Sequence, residues 1–453
     1  MKNNMLRQIT FPIIVGFFMV VELSQAQTRN DITPHILTMR ERAEVVDRWT
    51  VDRLDHLVPE LMRREQIDMW VLVAREYNED PVLLTMLPST WQSSRRTTIL
   101  VFFDPGNGAE VERFAVARYN IGFFETQWFP DREPDQWKRL GQLIEEKNPQ
   151  KIGVNFSEHF ATGDGISHTD FENLRNSLPA ELQERIVSAE NLSIGWLETR
   201  TEDEMIIYRQ INRIAHHIID EGLSEAVITP GITTTEDLSW WFRERIRTLN
   251  LTAWFHPSVS ISRSDAPAHS GDFSGSADSD IIRPGDLIHV DFGIEYLRLS
   301  TDTQRNAYVL REGETEPPLG LREALKVGNR LQDILTDEFV SGRTGNEILV
   351  AALQKAENEG IAATIYTHPI GFHGHGAGPT IGLWDQQGGV PGNGDYPLYP
   401  NTAHSIELNA EVFVPEWNRS VLIMLEEDAI FDGEKVGYID DRAEEFYLIP
   451  RQK

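Results

Sequence analysis

The chain has 453 residues, 40% of them hydrophobic and 25% charged, the composition of a soluble globular protein long enough for two domains. A net charge of -29 leaves no basic stripe to neutralise phosphates, which excludes a nucleic-acid-binding role. The absence of cysteine excludes disulfides and thiolate metal sites alike.

Residues 1–26 read as a targeting segment. Lys2 and Arg7 form a basic start, Ile9 to Leu23 is mostly apolar, and Ser24-Gln25-Ala26 offers small residues for cleavage. The apolar run is short for the ~20 residues of a membrane span. Cleavage is therefore expected over an uncleaved anchor, with the mature protein exported to the periplasm or secreted. No membrane contact is expected after cleavage.

Leu37 to Glu65 has helical spacing, which Pro59 should divide. Met69 to Val73 and Thr97 to Phe103 predict buried strands, Glu110 to Ala117 a return strand, Trp137 to Glu146 a helix and Lys151 to Asn155 a strand. This mixture predicts an α/β domain over 27–195. Thr201 to Glu204 is a capping box opening a long helix that carries His216 and His217, both read as surface histidines. Thr233 and Glu236 cap a second helix reaching Leu249. Leu287–Asp291, Arg305–Leu310, His404–Leu408 and Val421–Leu425 read as strands, with helices over Leu321–Phe339 and Gly345–Glu359. The second domain, 196–453, is thus expected to be α+β, with helices on a largely antiparallel sheet.

Asp291 and Asp302 are eleven residues apart and are followed by His375, Glu407 and Glu426. One imidazole among four carboxylates suits hard divalent ions and metal-assisted hydrolysis, not a closed structural zinc site. In one extended strand the aspartates would stand about 35 Å apart at ~3.3 Å per residue, so sharing a metal requires a hairpin. His368, His373 and His375 fall within eight residues. If that segment is extended, His373 and His375 share a face and both could reach the centre.

These residues resemble the M24 superfamily of metallopeptidases, which includes creatinase, prolidase and methionine aminopeptidase. The resemblance is strongest over 195–450, and extends more weakly to the amino-terminal domain of the Xaa-Pro peptidase branch. His289-Val-Asp291-Phe-Gly293 with Ser300-Thr-Asp302-Thr-Gln-Arg305 is similar to the paired-aspartate motif, Gly374-His375 to the metal-histidine motif, and Ser405-Ile-Glu407 and Leu425-Glu426 to the two glutamate strands. Ala266-Pro-Ala-His269 resembles the segment of a substrate-facing histidine. The resemblance implies a pita-bread catalytic domain behind a smaller creatinase-type domain. It implies two divalent ions (manganese, cobalt, zinc or iron) held by Asp291, Asp302, His375, Glu407 and Glu426, with a bridging hydroxide as nucleophile. Glu407 would accept the proton from that water, and His269 would contact the substrate. His373 is a further catalytic candidate and an alternative ligand. A peptide with proline after the scissile bond and a homodimeric assembly are also implied.

Three departures mark a divergent member. Leu408-Asn409 stands where the family often has Pro-Gly, Met424 where it often has arginine, and Gly382 where a second histidine usually follows the metal histidine by seven residues. Two other readings therefore stand beside the Xaa-Pro peptidase: the same metalloenzyme acting on a small non-peptide substrate as a C–N hydrolase or a lyase, and an inactive binding protein.

Overall fold

The unbroken apolar run Met69 to Val73 can hide both faces, and it forms a central strand of a six-stranded sheet. The computed structural model describes residues 36–265 and 280–451; the expected targeting segment and His269 lie outside them. The first part of the chain supplies helices α1 (Met39–Asp52), α2 (Val58–Glu65), α3 (Pro81–Met86), α4 (Gln136–Lys147), α5 (His168–Asn176), α6 (Ala180–Gln183) and α7 (Glu190–Glu198). Its strands are β1 (Met69–Arg75), β2 (Thr97–Phe103), β3 (Glu112–Ala115), β4 (Glu125–Thr126), β5 (Ile152–Val154) and β6 (Ile186–Ser188), in the order β4-β3-β2-β1-β5-β6. Apolar clusters cover both faces, one around Trp70, Leu72 and Phe102 and the other around Val71, Val73 and Val101. This is the α/β sandwich expected of continuous, unalternated strands.

The helix predicted over 37–65 is divided, as Pro59 requires, but the break comes earlier. Arg53–Leu57 is a π-helical turn, and Pro59 then sits in the first turn of α2, where its missing N–H costs nothing. The wide turn faces Arg53 inward. Its guanidinium donates to Thr199 O at 2.7 Å, pairs with Glu204 at 3.0 Å and lies over the Trp196 ring.

The second part opens with α8 (Glu202–Gly222), begun by the capping box of Thr201 and Glu204. In α9 (Thr235–Thr248) the box falls one residue later than expected, on Thr234 and Asp237. The remaining helices are α10 (Leu319–Thr336) and α11 (Gly345–Asn358). The strands are β7 (Ser258–Ser262), β8 (Leu287–Phe292), β9 (Glu295–Tyr296), β10 (Leu299–Ser300), β11 (Thr303–Val309), β12 (Ala362–Ile365), β13 (His368–Pro369), β14 (Thr402–Ser405), β15 (Leu408–Val414), β16 (Arg419–Leu425), β17 (Asp428–Phe431), β18 (Val436–Tyr438) and β19 (Tyr447–Ile449).

Three sheets matter for function: β19-β11-β8-β7, β12-β15-β16 and β13-β14-β17-β18. All pairings in them are antiparallel except β11 with β19. The last two sheets share three chain segments, which bend from one sheet into the other at residues 366–367, 406–407 and 426–427, and β18 completes the second. Leu408, Leu425 and Ile423 turn one face of β15 and β16 into the core against α10. A Cβ on Gly328 of α10 would stand 2.8 Å from Leu425 Cδ1, so the helix lies close and only the opposite face stays open. The molecule is a pita-bread fold preceded by a smaller α/β domain. The two parts pack together: Arg298, in the turn between β9 and β10, donates to the carbonyls of Thr85 and Leu87 at 3.1 and 3.0 Å.

No helix among the described residues is long and apolar enough to cross a membrane.

Glu198, at the end of α7, is 2% exposed. Burial pushes its carboxyl from 4.5 up to about 8, against the opposing hydrogen bond from Tyr396. A folded-state value above the unfolded one gives stability that is full below the unfolded value and lost as pH rises towards the folded one. Stability should therefore fall between about pH 4.5 and pH 8, by a few kcal/mol at ~1.4 kcal/mol per unit. Glu198→Gln should remove Glu198's share of that fall and leave the share of the other buried carboxyls, Asp302 among them. Denaturant midpoints at about pH 5 and pH 9 measure it; an equal drop in both proteins would refute the assignment.

Candidate metal centre

The bends between the sheets and the hairpin that the two aspartates require deliver the site. β8 runs antiparallel to β11, with Asp291 opposite Gln304, and Asp302 immediately precedes β11. The eleven-residue separation is taken up by the small β9–β10 hairpin, with Leu297 and Arg298 both in the left-handed region as its turn. His368 follows the first bend between the sheets, while Glu407 and Glu426 lie in the other two.

Asp291, Asp302 and Glu426 can each point an oxygen to one common point, and His368, Glu407 and Glu426 do the same beside it. His368 Nε2 is 3.4 Å from Glu426, 3.7 Å from Asp302 and 3.9 Å from Glu407. Burial, and then the neighbouring Glu426, drives the carboxyls of Asp291, Asp302 and Glu407 well above their ordinary values. Asp291 Oδ1, Asp302 Oδ1 and His368 Nε2 are buried without a hydrogen-bond partner. Buried acceptors facing one another without a cation are costly. Divalent ions would satisfy all of them, so the donor set fits such ions.

Neighbouring groups orient these side chains. His368 Nδ1 lies 3.0 Å from Pro369 O, which leaves Nε2 as the free acceptor facing the carboxylates. Gln304 donates to Glu407 Oε1 at 2.6 Å and accepts at 2.9 Å from His289 Nε2, whose imidazole burial holds below its ordinary value. Ser405 Oγ donates to Glu426 Oε1 at 2.8 Å, and the Asp428 carboxylate accepts from the Asp302 backbone N–H at 3.3 Å.

The histidine segment is arranged differently from the extended strand that the sequence reading considered. His368, not His375, is the imidazole in ion-pair range of Asp302, Glu407 and Glu426. The chain from Gly371 onward is a succession of bends, so the alternation that would align His373 with His375 does not operate. His375 packs edge-on against His368 at 4.7 Å and against Trp254 at 5.2 Å, exposed at the mouth of the centre, where Asp302 and His368 form a further possible ligand group with it. His373, expected as a catalytic residue or ligand, is not among the residues gathered there. It is half-buried near Arg200, and both desolvation and that cation hold its imidazole below its ordinary value. The spacing that could have revealed this was present: His375 follows His368 by seven residues. With His368 as the metal histidine, the second histidine that seemed absent at Gly382 is His375.

His216 also departs from expectation. It is largely enclosed, with Nδ1 3.2 Å from Asp440 and Nε2 3.0 Å from Arg305. Arg305 is buried, paired with Glu427 and, at 3.3 Å, with Asp441. The trailing arginine of the aspartate motif thus ties Glu427 to Asp441 of the carboxyl-terminal segment.

Residues 207–432 match the family described as metallopeptidase family M24. No curated protein matches the chain in sequence. Among solved structures, an X-Pro aminopeptidase from Thermotoga maritima is similar at 17% identity and a TM-score of 0.60, over 86% of this chain and 99% of that one. A Xaa-Pro dipeptidase from Bacillus anthracis is similar at 18% and 0.56, over 91% and 100%. A dipeptidase from Pyrococcus horikoshii is similar at 17% and 0.56, over 88% and 99%. At these identities the structures speak for the fold, and the family rests on the matched segment, which contains all five residues of the metal centre. By that segment the chain belongs to metallopeptidase family M24.

Proposed function

We propose that this protein is an exported Xaa-Pro peptidase that works with two divalent ions. The observation that carries the reading is the convergence of four carboxylates and His368 on two adjoining points, with buried oxygens left unpartnered. Asp291, Asp302 and Glu426 would hold one ion, and His368, Glu407 and Glu426 the other. When bound, such ions supply Lewis acidity and lower the pKa of water. Glu407, steadied by Gln304, is placed to accept a proton from that water and pass it to the leaving amine. His375, standing at the mouth against Trp254, is placed to touch an oxygen of the substrate.

The proline preference is supported by the names of the similar structures, two of which are Xaa-Pro enzymes. Export rests on residues 1–26 and dimer formation on the resemblance. Oxygen-rich sites accept manganese, cobalt, zinc or iron, and availability often decides between them. A panel of Xaa-Pro peptides of different lengths, assayed with each metal, tests the proposal. Metal analysis should find close to two ions per chain, and hydrolysis should occur before proline. A fully metal-loaded protein that cleaves no peptide would overturn the peptidase reading.

A further inference from the structure

Beside the three bends stand Tyr366, just past β12, Asn409 in β15 and Met424 in β16. Tyr366 stands two before His368, Asn409 two after Glu407, and Met424 two before Glu426. The register joins them into a row. Asn409 is directly opposite Met424 across β15 and β16, and Asn409 Nδ2 lies 3.4 Å from Tyr366 Oη. Their neighbours Ile365, Leu408 and Leu425 point the other way into the core, while Asn409 and Met424 are half-buried and Tyr366 is buried beside them. The row adjoins the centre along this sheet, and it holds a phenol, a carboxamide and a thioether.

Among the described residues, the adjoining sheet adds no unpaired cation to the row. Its inner residues next to the centre are His289, spent on Gln304, and Asn306, whose Nδ2 donates to Met424 O at 2.9 Å. Arg305, adjacent in sequence, is committed to Glu427 and Asp441.

A free dipeptide places its carboxylate one residue from the scissile carbonyl, within ~3.6 Å of chain per residue. A carboxylate that falls on this row meets no charge, and anions in partly buried sites need a charged or bidentate partner. A peptide that continues, or whose end is blocked, instead presents a neutral amide, which a carboxamide and a phenol can serve by hydrogen bonding.

Resting on the peptidase reading, we infer that the neutral row Tyr366–Asn409–Met424 selects peptides that extend beyond the residue following the scissile bond, and disfavours free dipeptides. The test compares Ala-Pro, Ala-Pro-amide and Ala-Pro-Ala as substrates of the metal-loaded full chain. The amide and tripeptide should exceed the dipeptide at least tenfold in kcat/KM, chiefly through KM. Non-cleavable reduced-bond analogues, as acid and amide, should bind in the same order by calorimetry. Met424→Arg should narrow the acid–amide gap at least fivefold. Equal or better use of the free dipeptide by the wild type overturns the inference and leaves the peptidase reading standing. An unchanged gap in a folded Met424→Arg variant likewise counts against the row. Absence of any cleavage overturns the reading on which it rests. If the variant does not fold, the wild-type comparison alone decides.

Discussion

Asp302→Ala is expected to abolish metal binding and peptide hydrolysis together, while making the metal-free protein more stable. Asp302 is 4% exposed, and its carboxyl is driven up first by burial and then by Glu426, Asp291 and Glu407. Without ions these buried groups repel one another, and removing one relieves a desolvated charge. With ions the sign reverses, because Asp302 meets Asp291 and Glu426 at one point and His368 at the next. Ligand at a hundredfold its Kd adds about 2.7 kcal/mol to stability. Thermal melts with chelator and with added metal separate the two effects. The wild type should shift upward on adding metal and the variant should not, although the variant starts higher. Two ions still bound per variant chain would show that the ligand set is wrong.

Exchanging the two histidines of the loop should give opposite phenotypes. His368→Ala should weaken metal binding by more than the 10- to 100-fold typical of residues that only support a ligand, and activity should fall with metal content. His375→Ala should retain its metal yet lose roughly 10²- to 10³-fold in kcat/KM, the scale of a lost polar partner in the transition state. Metal analysis of both proteins beside their kinetics decides the matter. Loss of metal from His375→Ala with retention in His368→Ala would restore the original sequence assignment and undo the register derived from the structure.

The parts legible in sequence share one property: they depend on local pattern. Met69 to Val73 is apolar on both faces and became a strand buried on both faces. Thr201 and Glu204 are three apart and formed the capping box of α8. The aspartate pair demanded a hairpin on distance alone, and β8 with β11 supplies it. Where the reading failed, it had assumed a periodicity that the chain does not keep. His373 and His375 share a face only in an extended strand, and the glycines around them allow a succession of bends instead. The enclosure of His216 depends on Asp440 and Asp441, more than two hundred residues away along the chain, which no window on one helix can contain.

The groups that steady the centre were nearer to hand. Gln304, His289, Ser405 and Asp428 each stand two positions from a candidate ligand, at the period of a strand. Two of the departures from the family pattern prove to be one feature, because Asn409 and Met424 face each other across β15 and β16. Sequence distance had separated them by fifteen positions.

The sequence by itself determined the chemistry of the centre. A chain without cysteine that sets four carboxylates and several histidines in apolar or glycine-rich stretches has few uses for them other than holding hard ions. It also determined the order of the elements, since capping and apolar periodicity act within a few residues. Only the tertiary structure decided which histidine meets the carboxylates and what surrounds them. Both depend on where three strands bend from one sheet into the next, and those bends are set by packing against α10 and by the pairing of distant strands.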